Sequence, residues 1–154
     1  MNAAEAFFTD TDLLLYSVGA AHPGKNRLAR LWVGTLWATG AGRLSYQVLH
    51  EFYANAIRKL GVAIPVAREN VLLWNAWQPV DTSLALIQRG WHWMDTAQLT
   101  YRDALIVSAA ELSGCRWLLT EDLQDGRTYD TVTVVNPFRV SPEEFGLTIP
   151  HRDS

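Results

Sequence analysis

TYRDALIVSAAELSGCRWLLTEDLQDG, residues 100–126, reads as a buried helix, a tight turn, a short core strand and an acidic loop. Ala104, Leu105, Ile106, Val107, Ala109, Ala110 and Leu112 leave the helix almost no polar face, so the rest of the domain has to cover it on most sides. Gly114 follows the helical pattern, where a left-handed terminal residue is favoured. Residues 116–119 are compatible with a β-strand, and Asp125-Gly126 is a turn signal that closes the loop. Asp103 opens the helix and Asp122 follows the strand, so each end of the segment carries a carboxylate.

Working outward, Phe7-Phe8-Thr9 reads as a core strand with Asp10 at its end, where an unpaired carboxylate is costly and shifts its pKa or finds a cation. Asp12 is expected to cap a helical turn over residues 13–16. Pro23-Gly24 marks a loop, and residues 27–39 carry Leu28, Leu31, Trp32, Thr35 and Leu36 at helical spacing. A second strand is expected over residues 43–45, with Ser45 capping a helix over 46–60. On that helix Val48, Leu49, Phe52, Tyr53, Ala56 and Leu60 share an arc of about 140°, and Glu51 lies about 60° beyond its edge, bordering the core. Arg58 on the same flank reads as solvated. Further helices are expected over residues 66–77 and from Asp81-Thr82-Ser83 to Trp91, with 94–99 as a connection. Residues 132–135 make the last strand, residues 141–145 a final helical turn, and residues 150–154 a loose tail. The alternation of strand and helix, without repeat or linker, predicts one α/β domain over residues 1–149 with a mainly parallel sheet covered on both faces.

Bulk properties agree with one well-covered core: the chain has 154 residues, of which 49% are hydrophobic. A net charge of -3 does not announce a nucleic-acid binder, although a local basic stripe is compatible with it. The single cysteine, Cys115, excludes an internal disulfide, residues 1–6 lack the pattern of a secretory signal, and no run approaches the ~20 apolar residues of a membrane span. A soluble, cytoplasmic protein without membrane partners is expected.

Asp10, Glu51, Asp103 and Asp122 each stand at an element end or core border, with Asp125 beside them, and a parallel sheet gathers strand carboxyl ends at one edge. Carboxylates brought within about 4 Å repel by roughly 4 kcal/mol per pair at an effective dielectric near 20, so such a cluster calls for protons or a cation. A hard divalent ion with oxygen ligands fits. Each acid also has a local explanation: Thr100-x-x-Asp103 is a capping box, and Asp122 to Gly126 is a turn. His22, His50, His92 and His151 show no paired metal spacing, and there is no nucleophile elbow, P-loop or dinucleotide fingerprint.

FTDTDLLLY at 8–16, SYQVLHEFY at 45–53, YRDALIVSAAELSGC at 101–115 and LLTEDLQDG at 118–126 together resemble the PIN-domain nucleases, especially the VapC-type toxins of bacterial toxin–antitoxin modules. The resemblance implies a Rossmann-like α/β/α sandwich and a Mg2+- or Mn2+-dependent ribonuclease acting through metal-activated water. It also implies a small antitoxin partner and a homodimer. Matched by motif, Asp10, Glu51, Asp103 and Asp122 are the catalytic acids, with Asp10, Asp103 and Asp122 as metal ligands. Asp125 is an additional acid, and Ser45 and Thr120 are candidates to orient ligands or water. Asp12 departs from the family pattern, since many relatives have Asn there. An alternative is a PIN-like RNA- or antitoxin-binding module with weak or lost catalysis. The Asp10-Thr11-Asp12 triplet also fits phosphatases that form an aspartyl-phosphate, but these need an opposing lysine, and Lys25 and Lys59 stand in no matching motif. Seven tryptophans and the Leu28, Leu31, Trp32, Leu36 pattern predict an apolar helical face for dimerisation or partner binding. Asparagine at Asp10 or Asp103 is expected to stop cleavage while relieving repulsion among the acids.

Overall fold

The computed structural model describes residues 5–149. Its strands are β1 (Phe7–Thr9), β2 (Gly42–Arg43), β3 (Trp117–Leu119), β4 (Thr128–Tyr129) and β5 (Val132–Val135). They form one sheet in the order β2-β1-β3-β5-β4, parallel throughout except for the β4–β5 edge pair. Phe7, Phe8, Thr9, Leu118, Leu119, Val132 and Val134 are buried, as continuous apolar strands must be when a parallel sheet is covered on both faces.

Among the described residues six helices accompany the sheet: α1 (Thr11–Val18), α2 (Pro23–Thr39), α3 (Tyr46–Leu60), α4 (Ile64–Trp74), α5 (Leu84–Ala97) and α6 (Tyr101–Leu112). The quoted stretch holds its expected central place, with α6 packed on β3 and β5 and α5 lying along α6. Gly90 lets α5 approach, since a Cβ there would stand 3.0 Å from the Leu105 side chain. At the other end of the core, the fully buried Trp32 indole of α2 donates to the carbonyl oxygens of Pro137 and Val140, at 2.9 and 3.1 Å. A 3-10 turn at Pro142–Phe145, with Ser141 and Glu144 as a capping box, brings Phe145 edge-on to Phe7.

Several boundaries differ from the sequence expectation for identifiable reasons. α2 starts four residues early because Pro23 sits in the first turn, where its missing N–H costs nothing. α4 starts at Ile64 with Pro65 in its first turn and gives way to a 3-10 turn at Asn75–Trp77. α5 runs to Ala97 because its end is marked by Gln98 in the left-handed region, φ 54°, with no glycine to signal it. β2 is shifted to Gly42–Arg43, and Leu44 and Ser45 instead engage Val80, whose N–H donates to the Leu44 carbonyl. β4 was not anticipated, being two residues long with Thr128 exposed. Leu112 and Leu60 are exposed and not core. The face expected for partner binding is largely internal: Trp32 and Leu36 are fully buried, and Leu28 and Leu31 half-buried. The tail at 150–154 lies outside the described residues.

The topology places the functional edge. From β1 the chain crosses through α1 and α2 to β2 on one side, and from β2 through α3 to α6 to β3 on the other. The direction of winding therefore reverses between β1 and β3, the point where open α/β sheets leave a crevice beyond their carboxyl ends. Register then aligns the two exits: Thr9 pairs with Leu119, and the Asp10 N–H donates to the Leu119 carbonyl at 3.1 Å.

Candidate metal centre

Asp10 leaves β1 and becomes the N-cap of α1, its Oδ1 accepting from the Thr11 N–H at 2.7 Å. This corrects the expected cap: the residue at the strand end takes that position, and Asp12 falls in the first helical turn. The Asp10 side chain is 1% exposed. Thr120, the first residue after β3, donates its hydroxyl to Asp10 Oδ2 at 2.8 Å and accepts the Asp122 N–H at 3.1 Å. One hydroxyl thus fixes the β1 acid and the loop that carries the β3 acid.

Asp12 reaches the same crevice from α1. Its Oδ1 accepts from the Leu13 N–H at 2.7 Å, and its Oδ2 from the Glu121 N–H at 3.1 Å. Asp10, Asp12 and Asp122 can each offer one carboxylate oxygen within 4.8 Å of the others. Burial first, and then the neighbouring Asp10, Asp122 and Glu121 charges, hold the Asp12 carboxyl well above the usual range against the Glu121 N–H that opposes the shift. Asp122 is also raised, by burial and by Asp10, with Arg102 opposing. Among the described residues, neither Asp12 nor Asp122 forms a side-chain ion pair. Burial, and after it the neighbouring acids, thus disfavours the charged form of both carboxyls.

Glu51 and Asp103 join the centre by another route, through Arg102. The guanidinium pairs with Asp10 at 2.7 Å, Glu51 at 2.6 Å and Asp103 at 3.0 Å. Glu51 also accepts from the Thr11 hydroxyl at 2.7 Å. Burial alone pushes the Glu51 carboxyl up, but the hydrogen bonds from Arg102 and Thr11 outweigh it and leave the group below its usual value. Burial likewise works against the Arg102 charge, and Glu51 and Asp10 more than restore it. The network is one centre with two halves that share Asp10.

Two open clefts border it. One, of about 280 Å³, is lined by Asp12, Tyr16, His22 and Glu121 among others, with Lys25 salt-bridged to Glu121 at 2.7 Å. The other, of about 630 Å³, runs past Glu51, Gln47, His50 and Tyr101.

A PIN domain family model matches residues 7–128. The chain belongs to the PIN domain family. Among solved structures, a toxin-antitoxin complex from Klebsiella pneumoniae superposes with a TM-score of 0.60 at 17% identity, covering 86% of this chain and 98% of that one. VapC20 from Mycobacterium tuberculosis, described as a sarcin-ricin loop cleaving toxin, superposes with a TM-score of 0.56 at 20% identity, covering 76% of this chain and 92% of that one. No curated protein matches the sequence.

In this PIN domain Asp10, Glu51, Asp103 and Asp122 all lie in the one network, but the three carboxylates grouped tightly enough to share an ion are Asp10, Asp12 and Asp122. Asp103 faces Arg102 instead. The capping box at its helix is half-formed, since Thr100 accepts the Asp103 N–H while the Asp103 carboxylate turns to Arg102. Asp125 stands apart, its Oδ1 accepting the Asn136 N–H at 2.9 Å in a turn. Ser45 is buried and caps α3 through the Val48 N–H. Arg102 is the residue that sequence reasoning passed over. A cation in the first turn of a helix opposes the helix dipole, and that misfit beside Asp103 was the available signal.

Proposed function

We propose that this PIN domain is a metal-dependent endoribonuclease that hydrolyses RNA phosphodiester bonds, acting as the toxin of a toxin–antitoxin pair. The observation that carries the reading is the group of Asp10, Asp12 and Asp122, three carboxylates gathered at a sheet edge, two of which pair with no side-chain cation among the described residues. An all-oxygen donor set with room for water is the preference of Mg2+ and Mn2+. Bound there, such an ion supplies Lewis acidity toward a phosphate oxygen and a water of lowered pKa.

The chain's own part is orientation. Thr120 and the Thr11 N–H fix both oxygens of Asp10, and the Leu13 and Glu121 N–H groups fix those of Asp12. Glu51, kept ionised by Arg102, serves as an acceptor at neutral pH and not as a proton donor. Asp103 acts through Arg102. Asp125 and Ser45, engaged in a turn and a cap, shape the surrounding loops.

The Klebsiella relative is a toxin-antitoxin complex and the mycobacterial one cleaves the sarcin-ricin loop, which supports a protein antitoxin and an RNA substrate for this chain. A homodimer and a cytoplasmic setting complete the proposal. Among the described residues no helix is long and apolar enough to cross a membrane. The test is cleavage of a single-stranded RNA by the purified chain. Mg2+ or Mn2+ should support it, a chelator should stop it, and Asp10→Asn should reduce it to background. Cleavage that resists the chelator and survives Asp10→Asn overturns the reading.

A further inference from the structure

We infer that Arg102 is a resident cation of the acidic centre, a positioning residue that occupies its Glu51–Asp103 half and so limits the site to one divalent ion, on Asp10, Asp12 and Asp122. The inference rests on the metal-dependent reading above and goes beyond it in fixing how many ions the site takes.

A guanidinium has five N–H donors in a rigid fork. Here Nε donates to Glu51 Oε2 at 3.1 Å. Nη1 donates to Asp10 Oδ2 at 3.2 Å and to Asp103 Oδ1 at 3.0 Å. Nη2 donates to Asp10 Oδ1 at 2.7 Å and to Glu51 Oε1 at 2.6 Å. All five donors are therefore spent on carboxylates, and the longer contact from Nη2 to Thr11 Oγ1, 3.3 Å, shares a hydrogen with one of them. An arginine with no free donor cannot also clamp a scissile phosphate unless it first releases an acid. That separates this residue from arginines that stabilise transferred phosphoryl groups directly.

The same geometry limits the metal. Both oxygens of Glu51 and one of Asp103 face the guanidinium, so an ion on that half has to displace it. Asp12 receives only backbone N–H groups, and Asp122 pairs with no side chain among the described residues. In a two-ion hydrolase, a second cation would stand opposite the first across the reacting phosphate. Arg102 supplies one positive charge on the Glu51–Asp103 half of the acids, anchored to the first turn of α6 and held by the acids it neutralises.

The test is titration of Mn2+ into the full chain without RNA, followed by calorimetry, beside thermal melts with and without the ion. Wild type should bind one ion per chain. Arg102→Met, which keeps the bulk and removes the charge, should melt roughly 5–10 °C lower without metal, as expected when the half-buried cation that balances the buried Asp10 carboxylate is lost. It should bind two ions, the first about tenfold or more tighter than in wild type. Arg102→Lys, which keeps the charge, should return the count to one. Two ions on wild type or on Arg102→Lys would overturn the inference. So would Arg102→Met with one ion at unchanged affinity and unchanged melting. If Arg102→Met folds only with Mn2+, two ions in the refolded protein support the inference and one overturns it. If it does not fold at all, the wild-type and lysine counts decide. Binding of no ion by wild type overturns the hydrolase reading as well, whereas two ions overturn only the role of Arg102.

Discussion

Asp10 and Asp12 are two residues apart and carry the same charge, yet their surroundings give substitution opposite consequences. Asp10 accepts from Arg102, from the Thr120 hydroxyl and from the Thr11 N–H, so an amide there turns NH2 hydrogens toward donors. Asp10→Asn should therefore destabilise the metal-free protein, by about 1–3 kcal/mol, and not relieve it as simple repulsion among acids would suggest. Among the described residues Asp12 meets two donors, both backbone N–H groups, and is crowded by Asp10, Asp122 and Glu121. Asp12→Asn turns its NH2 toward one of those two donors but also removes a charge that burial and three neighbouring acids oppose; the second effect is the larger, so the variant should raise metal-free stability by about 1 kcal/mol while stopping metal-dependent cleavage. Urea melts of the two variants in chelator, beside cleavage assays in Mg2+, check both. Equal stability changes of the same sign would contradict the division of the centre into balanced and unbalanced halves.

At the scale of elements, the site depends on register, and register depends on close packing behind it. Gly42 in β2 pairs with Phe7 in β1, and a Cβ there would lie 2.8 Å from the Trp77 ring. Trp77 is buried and sits against Trp37 and Trp74, so it has little room to yield. Gly42→Ala should cost about 1–3 kcal/mol by overpacking, read as a lower urea midpoint with an unchanged slope, whereas Gly34→Ala, where a Cβ meets nothing within 4 Å, should be neutral or slightly stabilising. The strands β1, β3 and β5 and the helices α3 and α6 were legible because apolar runs and caps agree there: Ser45 before α3 and Thr100 before α6 both accept the expected N–H. The end of α5 and the edge strand β4 were not, because a left-handed Gln98 and a two-residue strand carry no local signal. The acids could be read as a set. Which of them share an ion could not, since that depends on Arg102, and the sequence does not say where the tip of a long side chain comes to rest.

For the whole molecule, metal and proton compete for the same carboxylates. Asp12 and Asp122 have raised pKa values, so in the metal-free protein their contribution to stability is full below the ordinary aspartate value of 3.8 and is lost as pH rises through their folded values. Glu51 is lowered from 4.5, so its contribution is present above that value and is lost as pH falls through the depressed one. Melts in chelator should therefore gain stability on mild acidification from neutral pH and lose it again in stronger acid. Saturating Mn2+ should add about 2.7 kcal/mol at a hundred times Kd near neutral pH, and that increment should shrink on acidification as Asp12 takes up its proton. An increment independent of pH would place the ion on other groups. Whether one ion sits on Asp10, Asp12 and Asp122 is read directly from the anomalous difference map of a crystal grown with Mn2+. A single peak coordinated by Asp10, Asp12 and Asp122 is expected, with Arg102 still holding Glu51 and Asp103. A peak between Glu51 and Asp103, or none at saturating Mn2+, would contradict it.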